Sequence, residues 1–192
     1  MKRLFLKERK YLWVVLICIG FMGVLLTPYE TVQAQSSKPL AYALSGKVIS
    51  VADGDTLTIR DTKNEKIRLA SIDAPEKKGG SKRPAQPYSE TSRDYLAKLV
   101  AGQTLTLICF EKDRYGRHIC DVPVAQTTAN RLLVEAGLAW ANQQAGGKFL
   151  RDKTLLILEE QAREAKRGLW VEPRPVAPWV WRQACWQQGK CS

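Results

Sequence analysis

Three short polar segments, joined by strand-like sequence, most constrain how this chain can fold. They read DGDT at 53–56, RLASIDAPE at 68–76 and DRYGR at 113–117. Between the first two segments, apolar and polar residues alternate over short runs, and a polar stretch at 61–65 separates these runs. That pattern predicts short β-strands joined by tight turns.

The residue types in these segments suit attack on a phosphodiester. Carboxylates can hold a divalent cation and handle a water molecule, and arginines can neutralise the charge of a pentacoordinate phosphorane. The chain is also strongly basic, with 30 Lys and Arg against 19 Asp and Glu and a formal net charge of +11. The basic excess persists when residues 1–34 are set aside. Such a charge attracts polyanions, nucleic acid first and anionic lipid second.

The remaining pattern predicts one small barrel-containing domain of the α+β class. We expect a first group of strands at 47–51, 56–59 and 66–69, and a second group at 104–110 and 117–124. Helices are expected at 88–100, 128–136 and 148–167, and an exposed loop is expected at 77–87. The pattern alone does not select the topology of the barrel.

In order, spacing and residue identity, the three segments resemble the staphylococcal nuclease (thermonuclease) family. The resemblance covers about residues 44–170, which is a whole domain. It implies a five-stranded OB-type β-barrel packed with three helices. It also implies a Ca²⁺-dependent enzyme that hydrolyses DNA and RNA with little sequence preference and leaves 3′-phosphate ends. No protein partner is implied, and a monomer is expected.

The resemblance implies a calcium site built from oxygen ligands. Asp55 and Asp73 are the expected direct ligands, and the backbone carbonyl of Ala74 completes the protein's share. Many relatives have threonine at the position of Ala74, but alanine keeps the carbonyl, so metal binding is expected to survive. Asp53 is expected to form the turn or to lie behind the ligands, since Asp-Gly alone indicates only a tight turn.

The expected catalytic residues, by the same resemblance, are Arg68, Glu76 and Arg117. Glu76 matches a glutamate proposed as the general base, and the sequence leaves open whether it acts as a base or mainly orients water. The two arginines are expected to grip the scissile phosphate, because a guanidinium is always charged and offers planar, bidentate donors. Arg117 is also a candidate acid for the leaving group.

Substrate contacts beyond the scissile phosphate are less fully specified. Arg114 and Tyr115 match a basic–aromatic pair that is expected to bind a neighbouring phosphate, whereas His118 matches a position without a catalytic role. Residues 140–147 (WANQQAGG) lack the tyrosines and basic residues with which some relatives frame the nucleotide. Base preference and the choice between single and double strands therefore stay open.

The N-terminal residues 1–34 are interpreted as a signal peptide. A basic start precedes an apolar run at 11–27, and small residues stand at the signal-peptidase positions before the expected cleavage after Ala34. The alternative is an uncleaved membrane anchor, because the apolar run is just long enough to span a bilayer. Residues 35–43 are expected to be a flexible lead-in.

The cysteines agree with export. Cys109, Cys120, Cys185 and Cys191 remain after cleavage, and four cysteines in an oxidising compartment permit two disulfides with three connectivities. Cys109 and Cys120 could face each other across a hairpin, and Cys185 and Cys191 could close a small loop. Four buried free thiols are the alternative.

The tail at 171–192 is rich in proline and tryptophan and holds the two last cysteines. Its tryptophans lie among basic residues and could stack on bases, but a tail that wraps the domain and buries them is the favoured interpretation.

A different class of function is a catalytically inactive module that binds nucleic acid or a protein partner. Such a module is expected to have lost at least one of the two metal-ligand aspartates, the glutamate and the paired arginines. All of them are present: Asp55, Asp73, Glu76, Arg68 and Arg117. An exported nuclease is therefore predicted, in contact with a membrane only if residues 11–27 stay uncleaved.

Overall fold

A computed structural model of the chain describes residues 41–191, so the predicted signal peptide lies outside the described residues, as does most of the predicted lead-in. The strands of this part are β1 (Tyr42–Asp53), β2 (Thr56–Arg60), β3 (Asn64–Leu69), β4 (Ile72–Asp73), β5 (Thr104–Lys112), β6 (His118–Asp121), β7 (Pro123–Val124), β8 (Thr127–Thr128) and β9 (Trp140–Ala141). The α-helices are α1 (Ser89–Val100), α2 (Ala129–Glu135), α3 (Gln144–Gly147), α4 (Thr154–Glu164) and α5 (Pro178–Trp181). A 3₁₀ helix at Gly168–Val171 and a π-helix at Arg182–Gln187 complete the list.

The predicted five-stranded barrel is confirmed. Its strands follow the closed order β1-β2-β3-β6-β5. β1 pairs antiparallel with both β2 and β5, and β3 pairs in parallel with β6, which places Arg68 opposite Ile119. Two register shifts in β1, at 48–50 and 51–53, bend this long strand, which pairs with two neighbouring strands.

One apolar core fills the barrel and continues beneath the helices. The barrel strands contribute buried aliphatic side chains that alternate with exposed ones, as expected for strands with one buried face. The largest of these fully buried side chains are Leu57, Ile59, Ile67, Leu69 and Leu107. The helices cover this core with Leu96 and Val100 from α1, Leu133 and Val134 from α2, and Leu155 from α4.

The three predicted helices correspond to α1, α2 and α4, and the third is shorter than predicted. Helix α4 begins at Thr154 because the Asp152 carboxylate accepts hydrogen bonds from the Thr154 amide at 3.0 Å and the Thr154 hydroxyl at 2.6 Å. The amides of Arg151 and Asp152 donate to the hydroxyl of Ser71 instead of joining the helix. With α3 and α5, which were not predicted, residues 41–191 contain five α-helices.

The tail packs against the domain. Trp181 is buried, and Trp179 packs on a small cluster that contains Trp140 and Trp170, with its ring centroid 6.0 Å from that of Trp140. The end of the predicted lead-in differs from expectation, since β1 already begins at Tyr42. Across residues 41–191 no helix combines the length and the apolar content needed to cross a membrane.

Candidate active site

A single open cleft, with a volume of about 1140 Å³, is lined by residues from all three polar segments. Strand ends and turns supply most of the lining, because β2 begins and β3 ends on the same side of the barrel. The predicted site residues that line the cleft are Asp53, Asp55, Arg68, Asp73, Ala74, Glu76, Arg114, Tyr115 and Arg117. The fold therefore gathers residues that are up to 64 positions apart in the sequence.

Arg68 lies between the two predicted metal-ligand aspartates. Its Nη2 donates to the Asp73 Oδ1 atom at 2.7 Å, and its Nη1 forms an ion pair with Asp55. Both carboxylates are almost fully buried, and the Arg68 side chain is 15% exposed. Two buried carboxylates that contact one guanidinium face the same point in the cleft.

The backbone holds the two aspartates at this point. The Ala74 amide donates to the Asp55 Oδ2 atom at 2.7 Å, and the Asp55 amide donates to the Asp53 Oδ1 atom at 3.1 Å. Asp73 is fixed by the pairing of β4 with β9, in which it lies opposite Trp140. Asp53 thus closes the turn at 53–55 through its side chain.

Gly54 lets this turn approach helix α1 closely. A Cβ atom at this position would lie 2.7 Å from the Cβ atoms of both Ala74 and Ser92, a separation that real Cβ atoms do not adopt. The glycine is therefore required for packing, and this requirement keeps Asp55 next to Ala74.

Glu76 follows the Ala74-Pro75 pair and is tied to the loop at 77–87. Its amide donates to the Gln86 Oε1 atom at 3.1 Å, and its carbonyl accepts the Gln86 amide at 2.7 Å. Burial raises the pKa of Glu76 above its ordinary value, and the neighbouring Arg182 guanidinium offsets part of that rise. The predicted exposed loop is thus anchored by one buried residue, Gln86.

Arg117 is oriented by an acid in its own turn. Asp113 Oδ2 lies 2.7 Å from both Nε and Nη2 of Arg117, and Asp113 Oδ1 accepts the amides of Tyr115 and Arg117. Tyr115 is exposed, and its hydroxyl accepts a hydrogen bond from Arg114 at 2.8 Å. This turn therefore presents two guanidinium groups beside one exposed aromatic ring.

His118 takes part in a different contact. Its Nδ1 lies 2.7 Å from the Tyr42 hydroxyl and its Nε2 lies 3.1 Å from the Glu65 carboxylate, a set that links β1, β3 and β6. His118 is not among the residues that line the cleft.

Arg182 is a site residue that the sequence reasoning missed. It comes from the tail and contacts both Asp73 and Glu76. The only local signal was an arginine between Trp181 and Trp186, and no spacing rule connects such a residue with carboxylates 106 and 109 positions earlier.

The oxygen-rich donor set of the cleft fits a hard cation. Within residues 41–191, no three His, Cys, Asp or Glu side chains form a ready metal-binding group. Asp55 and Asp73 nevertheless converge on a cationic group, and the carbonyl of Ala74 follows directly. Carboxylate and carbonyl oxygens, completed by water, are the ligands that Ca²⁺ takes in proteins.

Both favoured disulfides are present. Cys109 and Cys120 are joined across the β5–β6 pair, where they lie directly opposite each other, and Cys185 is joined to Cys191 in the tail.

Comparison with known proteins identifies the family. The family profile described as staphylococcal nuclease homologue matches residues 66–172. The chain belongs to this family. The predicted resemblance is thereby confirmed, and membership makes the chain a nuclease, a hydrolase of phosphodiester bonds.

Alignments with similar curated proteins cover most of this chain. It is 41% identical to an "Uncharacterized endonuclease" of Escherichia coli O157:H7 over 141 residues, which are 72% of this chain and 85% of that protein. It is 34% identical to a "Micrococcal nuclease" of Shigella flexneri over 149 residues, 72% of this chain and 80% of that protein. It is also 33% identical to "Protein ParB" of Escherichia coli over 157 residues, 77% of this chain and 84% of that protein.

The family match does not cover the whole cleft. It includes Arg68, Asp73, Glu76 and Arg117, but it begins after Asp55 and ends before the tail residues that follow 172. The cleft of this nuclease is therefore built from the matched segment together with the first two strands and the tail.

Proposed function

We propose that this nuclease is an exported, Ca²⁺-dependent endonuclease that hydrolyses DNA and RNA with little sequence preference and leaves 3′-phosphate ends. One observation carries the proposal: buried carboxylates and two arginines from distant segments share one open, basic cleft. Nucleic acid is the polyanion that such a cleft suits.

Asp55, Asp73 and the Ala74 carbonyl are the groups that would hold Ca²⁺. A bound Ca²⁺ supplies charge stabilisation to the phosphoryl oxygens and lowers the pKa of a coordinated water. The Ala74 amide keeps Asp55 beside Asp73, so the two carboxylates do not depend on the metal for their proximity.

Glu76 is the proposed general base. It would take a proton from the water that attacks phosphorus, and its raised pKa favours this role at neutral pH. The two backbone hydrogen bonds to Gln86 fix the loop that carries it. The oxygen of the water forms a bond to phosphorus while the bond from phosphorus to the 5′ oxygen breaks.

Arg68 and Arg117 are proposed to bind the scissile phosphate. The charge on the phosphoryl oxygens grows as the phosphorane forms, and a fixed guanidinium stabilises that charge without having to reorganise. Asp113 uses the Nε and Nη2 edge of Arg117, which leaves Nη1 to donate to the phosphate or to the departing 5′ oxygen. Arg114 and Tyr115 are proposed to contact a neighbouring phosphate.

Export is supported by the two disulfides, which form and persist in oxidising compartments. Cleavage after Ala34 is tested by mass spectrometry of the protein from its native host. A fragment that starts at residue 35 supports export with cleavage, and an intact N-terminus with membrane fractionation supports the anchor.

The proposed reaction is tested by plasmid digestion with the purified, disulfide-bonded chain, in Ca²⁺ and in a chelator. We expect Ca²⁺-dependent cleavage and a loss of roughly 10²-fold or more in Glu76→Gln. Glu164→Gln, at an exposed position of α4, is the matched control and should cleave like the parent. Mass spectrometry of oligonucleotide products reports which end carries the phosphate.

Folded protein that does not cleave with Ca²⁺ would contradict the proposal and favour an inactive binding module. Equal cleavage by Glu76→Gln and its parent would remove Glu76 from the mechanism.

A further inference from the structure

The tail places a third arginine on the carboxylates of the cleft. Arg182 Nη2 donates to the Asp73 Oδ2 atom at 2.8 Å, and Nη1 donates to Asp73 Oδ1 at 3.2 Å. Nη1 also forms an ion pair with Glu76. One guanidinium therefore spans both oxygens of a proposed metal ligand and reaches the proposed general base.

The tail residues before and after Arg182 are both packed in place. Trp181 before it and Cys185 after it are buried, and Cys185 is joined to Cys191. The Trp186 indole donates to the Pro84 carbonyl at 3.1 Å. The tail is thus anchored around Arg182, and its position is not that of a loose chain end.

A second anchor joins the tail to the Glu76 loop. The Gln86 side chain donates to the Val176 carbonyl at 2.6 Å while its Oε1 accepts the Glu76 amide. The tail and the loop that carries the proposed base therefore share one buried amide.

Arg182 and Arg68 have the same kind of partner. Both donate to Oδ1 of Asp73, and both line the same cleft. Arg182 therefore lies in the same carboxylate cluster as Arg68, the arginine proposed to bind the scissile phosphate.

The same carboxylate oxygens cannot fully serve a guanidinium and a divalent cation. A cation bound by Asp73 would repel Arg182 and replace it as the partner of these oxygens. Of its two carboxylate partners, Arg182 then keeps only Glu76. Its Nη2, which had donated to Asp73, can then donate to a phosphate of nucleic acid in the cleft, and Arg–phosphate pairs form charge-assisted hydrogen bonds.

We propose that Arg182 is a third phosphate-binding residue of this nuclease, supplied by the tail, and that it exchanges Asp73 for substrate phosphate when the cation binds. The proposal rests on the proposed function for the identities of the cation and the polyanion. It extends the site to a residue outside the segment matched by the family.

The first test measures DNA binding as a function of salt. Arg182→Gln and its parent are compared in an Arg117→Ala background, which limits cleavage, by fluorescence anisotropy with a duplex oligonucleotide. In Ca²⁺ we expect the negative slope of log K against log salt to be shallower by about 0.9 in Arg182→Gln than in its parent, the value for one lost phosphate contact. In a chelator the difference should be much smaller, because Arg182 then stays on the carboxylates.

Two further variants separate charge from structure. Arg182→Lys keeps the charge and should keep most of the slope even if its affinity falls. Arg174→Gln changes an exposed arginine of the same tail and should behave like its parent. The proposal would be overturned if Arg182→Gln changed the salt slope equally in Ca²⁺ and in chelator. It would also be overturned if the slope of Arg182→Lys were as shallow as that of Arg182→Gln.

The second test is calorimetry with Ca²⁺ alone. Because Arg182 and the cation compete for Asp73, Arg182→Gln should bind Ca²⁺ on the order of fivefold more tightly. Unchanged or weaker Ca²⁺ binding would overturn the exchange. If the parent protein binds neither Ca²⁺ nor DNA, the proposed function fails before any variant is compared.

Discussion

The carboxylate of Asp113 binds Arg117 through both its backbone and its side chain. Oδ1 accepts the Arg117 amide at 3.0 Å, and Oδ2 accepts Nε at 2.7 Å. Burial acts to raise the pKa of Asp113, but the hydrogen bonds and charge of Arg117 lower it below its ordinary value. One acid therefore sets both the shape of the turn and the direction of the guanidinium.

Asp113→Asn is expected to lower kcat by about tenfold to a hundredfold, because a misplaced catalytic group loses that much. Asparagine keeps Oδ1 for the backbone amides but presents an amide nitrogen to Arg117 where the Oδ2 acceptor was. Initial rates at saturating DNA measure the effect. Asp94→Asn, which removes an exposed ion pair of α1, is the control, and a similar loss in both variants would contradict the role of Asp113.

Gln86→Met is expected to reduce both stability and kcat. Methionine has nearly the same shape, but it leaves the Glu76 amide and the Val176 carbonyl without their partner, which costs about 1–3 kcal/mol of unfolding free energy. Urea unfolding and kcat measure the two effects. Gln103→Met removes one exposed hydrogen bond to Leu99 and should change neither quantity much. Equal effects of the two substitutions would show that Gln86 has no special part in the site.

The strands and the polar segments were predictable because their signals are local, whereas the topology of the barrel was implied only by the family resemblance. Alternation marks each strand, and the order of the three segments matches a family pattern, so Arg68, Asp73 and Glu76 could be expected in one site before any fold was known. The strand ends then bring them together without further information.

Gln86 and Arg182 were not predictable in this way. Gln86 lies in a loop whose composition predicts exposure, yet it contacts Val176, 90 residues later. Arg182 contacts Glu76 across 106 residues. Such contacts depend on where the tail packs, and neither periodicity nor turn chemistry specifies which loop a tail will meet.

The two disulfides are expected to act on different properties. Replacing Cys109 and Cys120 with alanine should lower the free energy of unfolding by about 3 kcal/mol, because the bond closes an 11-residue separation within the barrel. Replacing Cys185 and Cys191 should have a smaller effect on stability but should weaken DNA binding by loosening the tail around Arg182. Urea unfolding and anisotropy, measured on both double variants, check this contrast. The reverse pattern would contradict it.

Asp121→Asn is expected to stabilise the protein at neutral pH but not at pH 4. Burial, together with repulsion from Asp152, raises the pKa of Asp121 to about 6. This pKa is higher in the folded state than in the unfolded state. The stability contributed by the protonated acid is therefore complete when the pH is below the pKa of the unfolded state, and this stability is lost as the pH rises through 6.

The asparagine variant avoids this loss and can still accept the hydrogen bond from Asn130. The free energy of unfolding of Asp121→Asn should therefore increasingly exceed that of its parent between pH 4 and pH 7. The difference should then level off at about 1 kcal/mol, after allowance for solvent screening. Urea unfolding in a chelator across pH 4–8 measures it. Asp61→Asn, at an exposed turn, is the matched control. A difference between Asp121→Asn and its parent that stays constant across this window would mean that Asp121 titrates normally in the folded protein.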